Sequence, residues 1–187
     1  MELADREEKV RRMEGLEKVR VDEGDPVMGN VHGKIVVYQF SDYNCGYCKR
    51  MFKPIQKMLA NNDDVRMVVK EFPILSQLSL MAAKAGIAAQ KQGKFLSFHG
   101  KMMNYRGQIN EGSIMEAAQT AGLDLDQLRQ DMESTLTNAI IERTRVGAAA
   151  LNLKGTPALV IGETVIPGAI NLEELQRVVD RERAKKS

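Results

Sequence analysis

The stretch Ser41-Asp-Tyr-Asn-Cys-Gly-Tyr-Cys-Lys-Arg-Met-Phe52 holds both cysteines of a 187-residue chain, separated by Gly46 and Tyr47. Such a pair can serve as a metal clamp, a structural staple or a redox couple. A closed zinc site needs about four Cys, His or carboxylate ligands. The two histidines, His32 and His99, do not stand at finger-like spacing from the cysteines. A staple across so short a loop restrains little chain entropy. The redox reading has a mechanism. "KIVVYQF" (34–40) is β-branched and aromatic, as in a buried strand. "CGYCKRMFKPIQKMLAN" (45–61) sets Met51, Phe52, Ile55, Met58 and Leu59 at helical spacing, with Pro54 predicting a kink. Cys45 therefore falls at a strand-to-helix junction, where unpaired N–H groups and the helix dipole stabilise a thiolate. Cys48 follows one turn on, within disulfide reach. Cys45 exchanges with a substrate sulfur, and Cys48 resolves the mixed disulfide.

Outward from this junction, "VRMVVKEF" (65–72) reads as a second buried strand, stopped by Pro73. Strand, helix and strand favour a parallel pair with a right-handed crossover. A helical block follows. "SLMAAKAGIAAQKQ" stops at Gly93, "KFLSFHGKMMN" and "NEGSIMEAAQTAG" continue it, and "DLDQLRQDMESTLTNAIIERTRVGAAALN" carries it to about residue 152, with Asp124 or Asp126 as cap. "TPALVIG" (156–162) and "TVIPG" (164–168) read as strands of an antiparallel hairpin joined at Gly162-Glu163. A last amphipathic helix starts after Asn171. The fold class is α/β, in the order βαβ, helical block, ββα. Residues 2–20 are charged, with a thin apolar stripe of Leu3, Val10, Met13, Leu16 and Val19. That pattern suits a helix lying on the domain surface, or one that associates with copies of itself. "DEGDPVMGN" (22–30) reads as a linker. The chain thus divides into an N-terminal helix (1–25), a first αβ part (26–73), an inserted helical domain (74–152) and a second αβ part (153–187).

Composition excludes several classes. Hydrophobic residues make 43% and charged residues 28% of the chain, the balance of a soluble globular domain. A net charge of +2, with cations and anions interleaved, gives no footprint for nucleic acid. No apolar run approaches the roughly 18 to 20 residues that span a bilayer. The opening "MELADREEKVRRMEG" lacks the apolar core of a signal peptide, so the protein is cytosolic or its signal is absent from this sequence. His99 reads as a packed helix residue and His32 as solvated. The eleven methionines, Met102 and Met103 among them, fit core filling better than a copper-handling surface.

"VVYQFSDYNCGYCK" followed by "GTPALVIG" resembles the thioredoxin fold, and more narrowly the DsbA-like thiol–disulfide oxidoreductases. "GN" before the first strand, "KEFPIL" and "QGKFLSFHGKM" extend the likeness over roughly residues 29 to 170. It is nearest to the suppressor-of-copper-sensitivity group, ScsC. The resemblance implies a thioredoxin fold with an inserted helical domain and a cis Thr156–Pro157 bond beside the cysteines. It also implies that Thr156 offers a free carbonyl and N–H to an extended substrate strand. Two departures stand out. The buried acid that thioredoxin and DsbA carry six residues before the first cysteine is here Gln39, which leaves Asp42 and Glu71 as nearby candidates for a proton relay. Gly46-Tyr47 between the cysteines, with Thr before the proline, is similar to the isomerase DsbC.

The expected function is a protein disulfide oxidoreductase or isomerase using Cys45 and Cys48, with no cofactor and no metal. Its partners would be cysteine-containing clients and a redox protein that recharges the pair, and its location the periplasm. The N-terminal helix could bring several copies together. Two other functions stay open: a cytosolic thioredoxin-like reductant, and a non-catalytic metal-binding or chaperone module.

Overall fold

The computed structural model describes the backbone of residues 2–186 and the side chains of residues 5–186. The Leu3 side chain of the apolar stripe lies outside the described residues, as do Met1 and Ser187. Strand β2 (Ile35–Ser41) leads into helix α2 (Gly46–Ala60) and pairs in parallel with β3 (Val65–Glu71). Pro54 lies inside α2. On the other side of β2 runs β4 (Ala158–Ile161), antiparallel, and β5 (Thr164–Pro167) returns along it. Gly162, at φ 56°, and Glu163 form the two-residue turn between them.

Residues 22–30 are more than a linker. Val27–Gly29 form β1, antiparallel to β3, which completes the sheet order β1-β3-β2-β4-β5. Three residues are too few to display strand alternation. What selects them is the open edge of β3. The segment is also held by charge. Lys70 of β3 is buried, with its Nζ 2.6 Å from Asp25 Oδ2 and 3.3 Å from Asp22 Oδ2.

The pleat sends alternate residues of each strand to opposite faces. Ile35, Val37, Met67, Val69, Leu159 and Ile161 face a core shared with Met51, Ile55 and Met58 of α2 and with Leu175 and Val179 of α8 (Leu172–Lys186). Asn171 caps α8, accepting from the Glu174 N–H while Glu174 accepts from that of Asn171. The other face carries Phe40, Ala158 and Val160 against Ala148 of α7 (Thr135–Ala150) and Val19, with Leu16 of α1 (Glu2–Glu17) partly buried against them.

Helices α3 (Gln77–Lys91), α4 (Phe95–Asn104), α5 (Glu111–Thr120) and α6 (Leu125–Met132) form the block over the end of the sheet. Its core is continuous with that under α2. The single helical run expected over 124–152 is two helices. Ser134 caps α7 by accepting from the Thr137 N–H, and the Thr137 hydroxyl donates to the Asp131 carbonyl at 2.6 Å. Asp124 caps α6, as its position suggested.

Helix α1 packs along α7, where Gly15 permits contact with Ala150 that any Cβ would block. Arg12 donates to the Glu163 carbonyl at the hairpin turn. The apolar stripe therefore divides. Leu16 and Val19 join the core of the domain, whereas Val10 and Met13 stay 55% and 40% exposed.

Removing one member of a buried ion pair strands the other charge and costs about 3–5 kcal/mol. Lys70→Met is therefore expected to lower the unfolding free energy by about 3 kcal/mol in urea titrations. Lys84→Met breaks the pair with solvent-facing Glu133 and should cost less than about 1 kcal/mol. Equal effects from the two would contradict the anchoring of residues 22–25 by Lys70.

Candidate active site

Cys45 is the N-cap of α2, with extended backbone at φ −80° and ψ 114°. Its sulfur accepts from the Cys48 N–H at 3.3 Å, and as a thiol it donates to the Thr156 carbonyl at 3.2 Å. The Thr156–Pro157 bond is cis. The carbonyl of Pro157 accepts from Gly168 N–H at 2.8 Å, which ties this loop to the end of β5. Both cysteines are free thiols; Cys45 is 7% exposed and Cys48 fully buried.

The two sulfurs have opposite acidities. The Cys48 thiol beside Cys45, helped by the Thr156 side chain and the N–H groups of Cys48 and Tyr47, outweighs burial and holds Cys45 down at about 5. The same neighbour acting in reverse, together with burial, pushes Cys48 up. That difference makes Cys45 the thiolate of the pair at neutral pH and leaves Cys48 a thiol.

The residues around them divide by task. Gly46 is exposed, and a Cβ there would touch nothing. Tyr47 is 59% exposed, with the Arg50 guanidinium 4.1 Å from its ring centre. Asp42 is buried, and its carboxylate is used up in holding loops: Oδ1 accepts from Asn44 N–H, and Oδ2 from the N–H groups of Ile74 and Leu75. That arrangement presents the exposed side chains of Ile74 and Leu75 from a loop tied to the one carrying the cysteines. Gln39 is buried opposite Val69 and Leu159 and offers no titratable group.

Glu71, at the end of β3, is buried in register with Ser41. Burial pushes its carboxyl well above the usual range, against the Tyr43 hydroxyl beside it and with the Asp42 charge reinforcing the rise. Tyr43 lies 2.8 Å from His99 Nδ1. His99 is buried among Phe52, Phe95 and Tyr43, and burial lowers its pKa to about 3.

Of the residues the sequence nominated, Cys45, Cys48, Thr156 and Pro157 meet at one point. Asp42 acts as a loop tie, and the Thr156 carbonyl, expected to be free, accepts from Cys45 while that residue is a thiol. Ser41 and Tyr43 were not nominated. Ser41 could have been, because it alternates with Gln39 and so shares its face.

Residues 21–181 match the family described as thioredoxin. The chain belongs to the thioredoxin family. A thioredoxin-like oxidoreductase from Silicibacter pomeroyi DSS-3 is 38% identical, with TM-score 0.84 over 89% of this chain and 95% of that one. The catalytic domain of Proteus mirabilis ScsC is 26% identical, with TM-score 0.83 over 93% and 97%. The thiol-disulfide exchange protein α-DsbA2 from Wolbachia pipientis is 26% identical, with TM-score 0.84 over 96% and 97%. These neighbours agree with the DsbA-like character of the sequence. The chain also shares 25% identity over 157 residues with Na(+)/H(+) antiporter NhaA 1 from Salinispora arenicola, of whose length it spans 24%.

A thiol ionising near 5 is a thiolate at every pH above that value, whereas an ordinary cysteine ionises near 8.5. Alkylation of Cys45 by iodoacetamide should therefore rise through pH 5 and level off by about pH 7. Cys48 should stay unmodified across that range. A rise centred near pH 8.5 would contradict the site geometry.

Proposed function

We propose that this chain is a protein disulfide oxidoreductase that forms, reduces or isomerises disulfides in exported proteins. The carrying observation is Cys45, a 7% exposed residue whose sulfur is held between the α2 N-terminus and Thr156. In the reducing direction the Cys45 thiolate attacks a client disulfide. A Cys45–client bond forms and one client sulfur leaves as thiolate. Cys48, once deprotonated, attacks Cys45 Sγ, closes the Cys45–Cys48 disulfide and expels the second client thiolate. The client gains two electrons and the chain loses two. The oxidising direction reverses each step.

Thr156 and Pro157 form the docking edge, with Gly46 and Tyr47 setting the redox balance and the approach of the client. Tyr47, Ile74 and Leu75 give that approach an apolar rim suited to unfolded chain. A periplasmic location follows from the resemblance to the DsbA-like group and belongs to this proposal, as does the division at residues 25, 73 and 152. So does a redox partner that recharges the pair. No helix among the described residues is long and apolar enough to cross a membrane. Exposed Val10 and Met13 on α1 support self-association, which light scattering on the chain would reveal as a mass above 20.9 kDa.

Cys45→Ser is expected to abolish thiol exchange with a scrambled disulfide substrate. Cys48→Ser should instead accumulate a mixed disulfide through Cys45, visible by mass after acid quenching. A Cys45→Ser chain that still suppressed aggregation of an unfolded client, with no loss relative to the wild type, would favour the non-catalytic chaperone reading. A reduction potential near the roughly −270 mV of thioredoxin would favour the cytosolic reductant instead.

A further inference from the structure

The near-neutral chain is charged unevenly. Residues 43–62, 72–110 and 143–162 hold 12 of its 27 Lys and Arg and none of its 25 Asp and Glu, which leaves 15 cations against 25 acids in the rest. These acid-free stretches supply the cysteine motif with α2, the Ile74–Leu75 loop with α3 and α4, and the Thr156–Pro157 loop. Every element that meets at Cys45 therefore comes from them. Asp42, the acid nearest the motif in sequence, is 1% exposed, and its oxygens already accept three N–H groups. Farther from the cysteines, Lys84, Lys91, Arg143 and Arg145 pair with acids from outside these stretches. Lys49, Arg50, Arg106 and Lys154 form no ion pair among the described residues.

These four flank the cysteines from three elements. Arg50 is exposed, with its guanidinium 4.1 Å from the centre of the Tyr47 ring, between Cys45 and Cys48. Lys49 stands four residues after Cys45, on the same side of α2 one turn on. Its Nζ donates to the Tyr105 carbonyl at 2.9 Å and lies 5.6 Å from that ring's centre, beside exposed Arg106. Burial, and then the Arg106 charge, lower the pKa of Lys49. Lys154 is exposed two residues before Thr156. The Cys45 thiolate is accounted for by Cys48, Thr156 and backbone N–H groups, without these cations. Like charges gathered without a countercharge repel one another, and a negative partner relieves that repulsion.

We propose that this cationic rim selects clients by charge: the client segment that docks at Thr156 and bonds to Cys45 carries Asp or Glu beside its cysteine. This rests on the dithiol reading above and adds a substrate class to it. Exposed Tyr47, Ile74 and Leu75 take apolar side chains, while Lys49, Arg50, Arg106 and Lys154 take carboxylates. The preferred client is thus an unfolded stretch that is both acidic and apolar. Charges at the rim of an interface act mainly on the rate of encounter, and salt screens them.

The test uses three peptides whose single cysteine is flanked by Glu, Gln or Lys and joined by a disulfide to thiopyridine. The Cys45 thiolate attacks the peptide sulfur and expels thiopyridine, whose absorbance gives the rate by stopped flow at neutral pH. Each rate is divided by that of mercaptoethanol with the same peptide, which removes the intrinsic effect of the flanking charges. The Glu peptide should react about tenfold faster than the Lys peptide in about 20 mM salt, and about twofold faster in about 500 mM. Arg50→Gln combined with Arg106→Gln should reduce the low-salt ratio to less than about threefold, whereas Lys57→Gln at the far end of α2 should leave it unchanged. Glu and Lys rates within about twofold of each other at low salt, or a ratio that survives the double substitution, overturns the proposal. Equal peptide rates with oxidised glutathione reduced about tenfold faster than cystamine also overturn it, and assign the cations to a small anionic thiol. Cys45-dependent release from all three peptides at equal rates removes this proposal alone. Release from none of them removes the dithiol reading.

Discussion

A sulfur buried at the start of a helix has two neighbours of opposite sign. The Cys48 N–H points at Cys45 from within α2, and the Thr156 carbonyl opposes it from a residue 111 positions later. The first contact is local and follows from any N-cap cysteine. The second requires the whole topology. Thr156 stands just before β4, and β4 pairs with β2, whose end leads into Cys45. The helical block of α3 to α6, with α7 behind the sheet, must therefore leave the chain and return it within one strand of its departure. Continuity of the main core through that block is what holds the return in place.

The polar groups beneath the sheet's end obey a similar economy of placement. Lys70 and Glu71 are neighbours in β3, yet the pleat sends them to opposite faces. Lys70 meets Asp25 and Asp22 and fixes the segment leading into β1. Glu71 faces Tyr43 and Asp42, and burial raises its carboxyl well above the usual range. One strand thus carries an ion-paired lysine on one side and a buried acid on the other. An acid at the end of β3 reaches the same space as one on β2, because Gln39, Ser41 and Glu71 all project to the face that α2 covers.

Most of this fold was legible in sequence because its signals are local. The strand before Cys45, the helix after it, the parallel partner and the Gly162-Glu163 hairpin each rest on a few residues whose propensities agree. Three features were hidden for stated reasons. Strand β1 is too short to show alternation and exists by pairing with β3. The break at Ser134 is a cap inside a run that is helical on both sides. The two roles within the α1 stripe depend on α7, which lies more than a hundred residues away. The site divides the same way. The Cys-x-x-Cys motif and the Thr-Pro pair announce themselves, whereas the surroundings of Tyr43 are set only when β3 brings Glu71 and α4 brings His99 beside it.

In the proposed exchange the Thr156 carbonyl links docking to chemistry. While Cys45 is a thiol, that carbonyl accepts its proton and is occupied. Once Cys45 ionises or bonds to a client sulfur, no S–H remains, and a carbonyl left unpaired beside a buried sulfur costs about 1–3 kcal/mol. An N–H of an extended client strand relieves that cost. Because this thiol ionises near 5, the carbonyl is already free of that donor at neutral pH when a client strand arrives. Closing the Cys45–Cys48 disulfide expels the client sulfur, and the strand is then held by backbone alone. In the proposed cycle the covalent Cys45–client bond adds to this backbone contact in the mixed disulfide, and its loss on closure leaves the strand free to depart.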